Sequence, residues 1–217
     1  MIYGAGFWQA RIDGGVCRRL NAAKILSSLS GQYLLDVGCG EGNLLEVARE
    51  RGWDATGVEP NCPGFTSGIY PGTVSEAQLP LGKYDVITLI DVIEHLRKPI
   101  EDLNEIKILL KRGGLIYILT PNAGGLIARL MGRFWFERKP EHLHLYNSTE
   151  IGNLLHAAGF VWVETGVTGK ILTLSYIASI LAKDKFWLAP FVRLLGKVYR
   201  RQIHFKGGFI VATGRNI

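Results

Sequence analysis

The run Leu34-Leu35-Asp36-Val37-Gly38-Cys39-Gly40-Glu41-Gly42-Asn43 sets three glycines at alternate positions after a short apolar segment. Glycine adopts positive φ freely and carries no Cβ, so a ligand can approach such a backbone closely. A helix starting just after the loop would add free N–H groups and a partial positive charge, which suit a carboxylate or a phosphate. A second acid, Glu59, ends the run Ala55-Thr56-Gly57-Val58 and precedes Pro60. A carboxylate at a strand end can accept hydrogen bonds from both hydroxyls of a ribose. The dinucleotide fingerprint Gly-x-Gly-x-x-Gly needs glycine at position 43, where Asn43 stands, and the third glycine is instead Gly42. The spacing therefore argues against a nicotinamide dinucleotide and for another nucleoside ligand.

Proton chemistry has three imidazole candidates: His95, His142 and His144. An unperturbed histidine titrates at about 6.5, so each can take a proton near neutrality. His142 and His144 are two apart in a segment that reads as extended, which puts them on one face. The alternative role for one or both is to hold that segment in place by hydrogen bonds. His95 can close a ligand pocket or cap a helix instead. Asp91, Glu94 and His95 could also be read as ligands of a divalent ion, but the chemistry does not require one and no metal ligand is assigned. The three cysteines, Cys17, Cys39 and Cys62, form no CxxC pair, which argues against a disulfide framework and a structural zinc site. Cys39, between two glycines, is explained by its small size.

The elements that must position these groups alternate along the chain. A lead-in helix is predicted over 16–29. Strands are predicted at 33–37, 53–58, 69–74, 84–90, 115–119, 160–164 and 209–213. Helices are predicted at 44–51, 99–110 and 149–158, and a long helical stretch at about 171–201. Strands alternating with helices imply a parallel sheet with helices on both faces. The expectation is an α/β fold of one domain over 1–217, with a lid-like insert at 123–147 and a basic amphipathic insert at 170–204.

With these pieces in order, the sequence resembles class I SAM-dependent methyltransferases, where SAM is S-adenosyl-L-methionine. The resemblance rests on Leu35-Asp36-Val37-Gly38-Cys39-Gly40-Glu41-Gly42, Gly57-Val58-Glu59, Tyr84-Asp85-Val86-Ile87 and Val92-Ile93-Glu94-His95-Leu96. Gly113-Gly114-Leu115, Thr120-Pro121-Asn122 and Glu141-His142-Leu143-His144-Leu145-Tyr146 fit as well. It spans about residues 30 to 165 and is similar above all to the branch with the ubiquinone-biosynthesis O-methyltransferases. The resemblance implies a Rossmann-like sheet of seven strands, mostly parallel, with an antiparallel last strand. It also implies that Asp36 and Gly38 to Gly42 wrap the methionine part of SAM. Glu59 and Pro60 would then meet the ribose, Ser75 and Glu76 the adenine, and Asp91 the amino-acid end. Relatives often carry Asp where Ser75 stands, so Glu76 or a backbone group would hold the adenine amino group. In ubiquinone-type relatives an acid cluster like that of Asp91 and Glu94 has been associated with a metal. The 142–144 segment would lie over the active-site mouth. The implied activity is methyl transfer, at oxygen first of all, to a small molecule such as a lipid-linked, quinone-like or glycan precursor. A non-catalytic SAM-fold binding protein and a nucleotide-binding oxidoreductase are the alternatives.

Charge adds a partner question. Of 217 residues with a net charge of +6, positions 170–206 hold eight Lys/Arg against Asp184 alone. Within 186–201, Trp187, Leu188, Phe191, Leu194, Leu195 and Val198 form an apolar stripe beside Arg193, Lys197, Arg200 and Arg201. Two readings follow: helices packed on the sheet or on a second subunit of a homodimer, or contact of 171–201 with an anionic membrane surface. Arg133-Phe134-Trp135-Phe136 adds aromatics and a cation of interfacial type. No nucleic-acid module is present, and nucleic acid is not expected as a partner. No signal peptide is read, and the longest apolar run, 171–182, is shorter than the about 20 residues a bilayer span needs. The expected location is the cytoplasm, or its membrane periphery.

Overall fold

The computed structural model describes residues 5–62, 68–173 and 202–217. Seven strands form one sheet: β1 (Tyr33–Val37), β2 (Asp54–Glu59), β3 (Ile69–Pro71), β4 (Tyr84–Ile90), β5 (Leu110–Pro121), β6 (Val161–Thr173) and β7 (Gln202–Arg215). Their order is β3-β2-β1-β4-β5-β7-β6. The first five run parallel, and β7 is antiparallel to both β5 and β6. The helices are α1 (Ala5–Leu26), α2 (Asn43–Glu50), α3 (Pro99–Lys107), α4 (Leu126–Met131) and α5 (Ser148–Ala157).

Strand side chains alternate between faces, and here both faces are covered. Leu34 and Val86 pack with Ala22 and Leu26 of α1 and with Leu44, Leu45 and Ala48 of α2. Leu35, Ile87, Ile116 and Ile118 pack on the other side with Leu103 and Ile106 of α3 and Ile151 and Leu155 of α5. This explains why β1 and β4 read as unbroken apolar runs. Chain connections leave β1 and β4, neighbours in the sheet, in opposite directions. Such a switch point opens a crevice at the carboxyl ends of the strands.

Polar ties fix α1 over that crevice. Arg19 reaches Glu46 and Glu50 of α2, and Arg18 reaches Glu41. Asn21 exchanges hydrogen bonds with the backbone of Ile171, and Lys24 donates to the carbonyl of Gly169. α1 thus spans from α2 to the edge strand β6.

Several predicted boundaries shift. The lead-in helix starts at Ala5 and runs through Gly14-Gly15. These glycines cost about 1 kcal/mol each in a helix; the ties to α2 and β6 lie in the turns that follow them. The helix stops at Leu26, where Ser27 and Ser28 donate their hydroxyls to the carbonyls of Lys24 and Ile25. α3 ends at Lys107, before the predicted 110. Leu109 and Leu110 are buried, and Leu110 already pairs with Tyr84 before a register slip to Val86–Leu115. The periodicity at 109–110 belonged to a strand start. β6 and β7 are far longer than predicted, and the predicted helix over 171–201 is corrected at its start. Residues 171–173 pair with 202–204 as strands, and 174–201 lie outside the described residues. Among the described residues, no helix is long and apolar enough to cross a membrane.

The best-defined helix start is that of α5. Asn147 Oδ1 accepts from the N–H groups of Thr149 and Glu150, and Glu150 Oε2 accepts from the Asn147 N–H at 2.8 Å. Such a reciprocal cap is worth about 1 kcal/mol. Asn147→Ala should lower unfolding stability by that amount, measured by urea melts, with the midpoint shifted and the slope unchanged.

Candidate active site

Two close approaches build the crevice. Gly38, Gly40 and Gly42 all have positive φ, at 69°, 54° and 78°. A Cβ on Gly38 would lie 2.5 Å from Cγ2 of Val92, so the glycine turn after β1 sits directly on the chain leaving β4. A Cβ on Gly57 would lie 2.5 Å from Sγ of Cys39, so β2 must also be bare for the turn to fit. Gly57 has a role that its place in the motif alone does not announce. Gly40 differs: nothing lies within 4 Å of where its Cβ would be. Its bare side opens on the crevice.

Glu59 locks this arrangement. Its Oε2 accepts from the Gly40 N–H at 3.0 Å, and its Oε1 accepts from the N–H and side-chain amide of Asn61. The carboxylate thus joins the end of β2 to the middle of the glycine turn. Pro60 follows in the turn closed by the Cys62 N–H on the Glu59 carbonyl. Burial pushes the Cys39 thiol up to about 12, so it is a neutral packing group.

The crevice has a volume of about 360 Å³, and Asp36, Gly38, Cys39, Gly40 and Asp91 are among its walls. Asn21 and Ile25 of α1 and Lys170 of β6 complete it; the sequence reading assigned none of these three to the site. Gly42 caps α2. Gly42, Glu59, Pro60, Ser75 and Glu76 are not among the crevice walls. Ser75 donates to Glu105 at 2.6 Å, and Glu76 Oε2 accepts from both the N–H and hydroxyl of Thr73. Those Thr73 bonds hold the Glu76 carboxyl below its usual range. A second cavity of about 540 Å³ runs beneath α1 along β5, β7 and β6, with Leu115, Tyr117, Leu119 and Val211 as its apolar floor. It shares Asn21, Ile25, Leu119 and Lys170 with the first.

The histidines stand apart from both cavities, beyond the turn that follows Asp91. His142 meets His95 edge to face at 4.7 Å, and His144 stacks on Tyr146. The His144 N–H donates to the carbonyl of Glu94, while Leu143 between the two histidines is exposed. His95 Nδ1 lies 2.8 Å from the carbonyl of Glu141. A carbonyl only accepts, so Nδ1 carries the proton and Nε2 keeps its lone pair when the ring is neutral. Glu94 is buried; Oε2 accepts from Thr120, and Oε1 has no partner. Burial, with Asp91 nearby, pushes its carboxyl up to about 7. His142 Nδ1 is likewise buried without a hydrogen-bond partner, and burial lowers its pKa. Glu94, His95 and His142 bring ligand atoms within 4.8 Å of one another. The structure therefore regroups the Asp91–Glu94–His95 set: Asp91 pairs with Lys170, and His142 takes its place.

Asp36 is also buried, with Thr88 donating to it at 2.6 Å. Burial pushes it up to about 7. The folded chain keeps this proton where the unfolded chain has lost it. That contribution to stability is complete below the ordinary aspartate range and is lost as pH rises through about 7. The stability of Asp36→Asn relative to the ligand-free wild type should therefore rise between pH 5 and pH 8, by about 3 °C or more in Tm. Thermal melts at both values decide; a gap that does not widen with pH would contradict the assignment.

Comparison with known proteins agrees with this geometry. A family described as "Methyltransferase domain" matches residues 8–165. A ubiquinone biosynthesis O-methyltransferase of a Bradyrhizobium is 32% identical over 123 residues, which are 51% of this chain and 49% of that protein. The chain thus spans about half the length of that relative. An Acinetobacter baumannii protein of the same name is 27% identical over 184 residues, 75% of this chain and 73% of its own. Among solved structures, a SAM-dependent methyltransferase from Archaeoglobus fulgidus superposes with a TM-score of 0.63 at 19% identity, over 91% of this chain and 94% of its own. A Haemonchus contortus phosphoethanolamine N-methyltransferase holding S-adenosylhomocysteine has a TM-score of 0.59 at 15% identity, over 92% and 52%. The chain belongs to the methyltransferase-domain family and has the class I SAM-dependent methyltransferase fold.

Proposed function

We propose that this chain transfers the methyl group of SAM to an oxygen of a small molecule. The observation that carries this reading is the Gly38–Gly42 turn clasped by Glu59, with Asp36 and Asp91 in the crevice walls. Carboxylates suit the sulfonium and ammonium of SAM and oppose the pyrophosphate of a dinucleotide. Glu59, freed from Gly40 or sharing it, accepts the ribose hydroxyls. The acceptor oxygen attacks the methyl carbon in line, the carbon–sulfur bond breaks, and S-adenosylhomocysteine leaves. The protein mainly aligns the two reactants.

An oxygen nucleophile gains from a base, and the cluster of Glu94, His95 and His142 supplies one. Its neutral His142, the lone pair on His95 Nε2 and the raised Glu94 can each hold the released proton. One carboxylate and two imidazoles also fit a divalent cation, and the partnerless Glu94 Oε1 and His142 Nδ1 are consistent with such an occupant. A cation bound there would act as a Lewis acid on the acceptor oxygen. The names of the relatives support oxygen as the atom methylated.

For the acceptor we propose a lipid-linked, quinone-like or glycan precursor, met at the cytoplasmic membrane periphery. The basic, apolar sequence over 171–201 supports an anionic surface as partner. So does the described insert: Leu126, Leu130 and Phe134 are about 70% exposed or more beside Arg129 and Arg133. A homodimer through 171–201 remains the competing occupant of that segment.

Two experiments test the central reading. Glu59→Ala should weaken SAM binding by about 1.5–3 kcal/mol, the worth of hydrogen bonds to a charged acceptor. Gly40→Val should abolish binding, because its side chain fills the crevice and a β-branched residue also strains the turn at a φ of 54°. Calorimetry with SAM and NAD reads both; NAD binding in place of SAM would end the proposal. For the surface, sedimentation with phosphatidylglycerol vesicles should exceed that with phosphatidylcholine. Leu130→Ser with Phe134→Ser should reduce it several-fold.

A further inference from the structure

Lys170 is the one lysine that lines both the crevice and the cavity beneath α1 among the residues described there. Lys24, its neighbour across the second cavity, is committed to Thr168 and the Gly169 carbonyl. The Lys170 side chain is only 15% exposed, and its ammonium lies 4.1 Å from the centre of the Phe209 ring. It forms an ion pair with Oδ2 of Asp91. The carboxylate it meets is set by backbone as well as by charge. Asp91 has φ of 55°, a left-handed conformation unusual for a non-glycine residue. Its N–H is held by the Leu119 carbonyl at 2.8 Å.

The other acids around the crevice have different commitments. Glu41 is paired with Arg18 at 2.8 Å. Glu59 is bound to Gly40 and Asn61. Asp36 is buried against Thr88. Two of these four carboxylates are open to a ligand, Glu41 at 57% and Asp91 at 44% exposed. Of their cationic partners Lys170 is the sequestered one, at 15% against 47% for Arg18, so a ligand ammonium that meets a desolvated competitor meets it at Asp91. It finds that carboxylate already occupied by an ammonium of the chain itself.

We propose that Lys170 stands in for the α-ammonium of the cofactor, pairing with Asp91 until that ammonium displaces it. The inference rests on SAM as the cofactor and adds a residue that sets its affinity. Lys170 holds Oδ2 of Asp91, and a second ammonium brought to the same carboxylate repels the first, so the cofactor seats at the expense of the Lys170–Asp91 pair. The displaced Lys170 remains against the Phe209 ring, which favours a cation over its face. It then lies in the wall shared with the second cavity. The cofactor's affinity is held down by the pair, and product release is eased by the same amount. Lys170 acts through Asp91 and is a positioning residue, not a catalytic one.

The discriminating ligand is 5′-methylthioadenosine, which keeps the adenosine and sulfur of the cofactor and lacks its amino-acid end. Calorimetry should show Lys170→Gln binding SAM and S-adenosylhomocysteine roughly three- to tenfold tighter than wild type, as expected for removing a partly exposed competing charge. Its affinity for methylthioadenosine should be unchanged. Lys170→Arg should restore wild-type affinities. Asp91→Asn should weaken SAM and cancel the gain when combined with Lys170→Gln. Methylthioadenosine also reports whether the crevice is intact; should Lys170→Gln lose it, Lys170→Met replaces that variant in the same comparison. An equal change for SAM and methylthioadenosine, or weaker SAM binding without Lys170, would overturn the proposal. A wild type that binds neither ligand would instead sink the cofactor reading itself.

Discussion

The site depends on backbone approaching where no Cβ can fit. Val92 occupies the space beside Gly38, and Cys39 the space beside Gly57, each at 2.5 Å from the absent Cβ. These two contacts bring the ends of β1, β2 and β4 together. Once they are made, Gly40 faces open space with its N–H on Glu59. The crevice is therefore a consequence of packing among three strand ends. The glycine that faces the crevice is the one with no packing duty. That division explains why three glycines occur in five residues: Gly38 serves packing, Gly40 leaves the crevice open, and Gly42 opens α2 with left-handed φ.

Charge is then distributed by neighbourhood. Each carboxylate of the region has a different partner: Gly40 for Glu59, Thr88 for Asp36, Lys170 for Asp91, Thr120 for Glu94. Two of them, Asp36 and Glu94, are buried and pushed up to about 7. Burial of a carboxylate without a full set of donors is costly unless it is neutral or meets a cation. The region around the crevice thus carries acid groups that favour a positively charged ligand without bearing the full self-repulsion of four ionised carboxylates.

Much of this was legible in the sequence, and the failures have physical causes. β1 and β4 were read at their actual limits, because both are apolar runs buried on two faces. That the glycine turn and Glu59 lie side by side at the strand ends was legible, because their placement depends on residue type at short spacing. Lys170 and Asn21 were not. They reach the crevice from β6 and α1, and nothing local marks a lysine on an edge strand as the partner of Asp91, 79 positions away. Leu109 and Leu110 were misread as helical because apolar periodicity cannot tell a helix end from the start of a buried strand. Ser75 and Glu76 were assigned through the resemblance, and the structure shows both engaged with neighbours, Glu105 and Thr73. A motif carries a backbone position more faithfully than it carries a side chain's partner.

The segment from Asp91 to His95 joins the two halves of the site. Asp91 faces α1 and β6 through Lys170. Three residues on, Glu94 faces Thr120 and the histidines on the side of α3 and α5. Between them, Val92 holds the glycine turn and Ile93 is buried in the core. Two carboxylates in one short turn thus have opposite environments, one ion-paired and partly exposed, the other buried and near neutrality in its titration. Separation of this kind is how one stretch of chain can serve a permanent cation and a moving proton at once. Val92, against the glycine turn, and Ile93, in the core, hold the turn from both sides and so fix how far apart these two carboxylates stand.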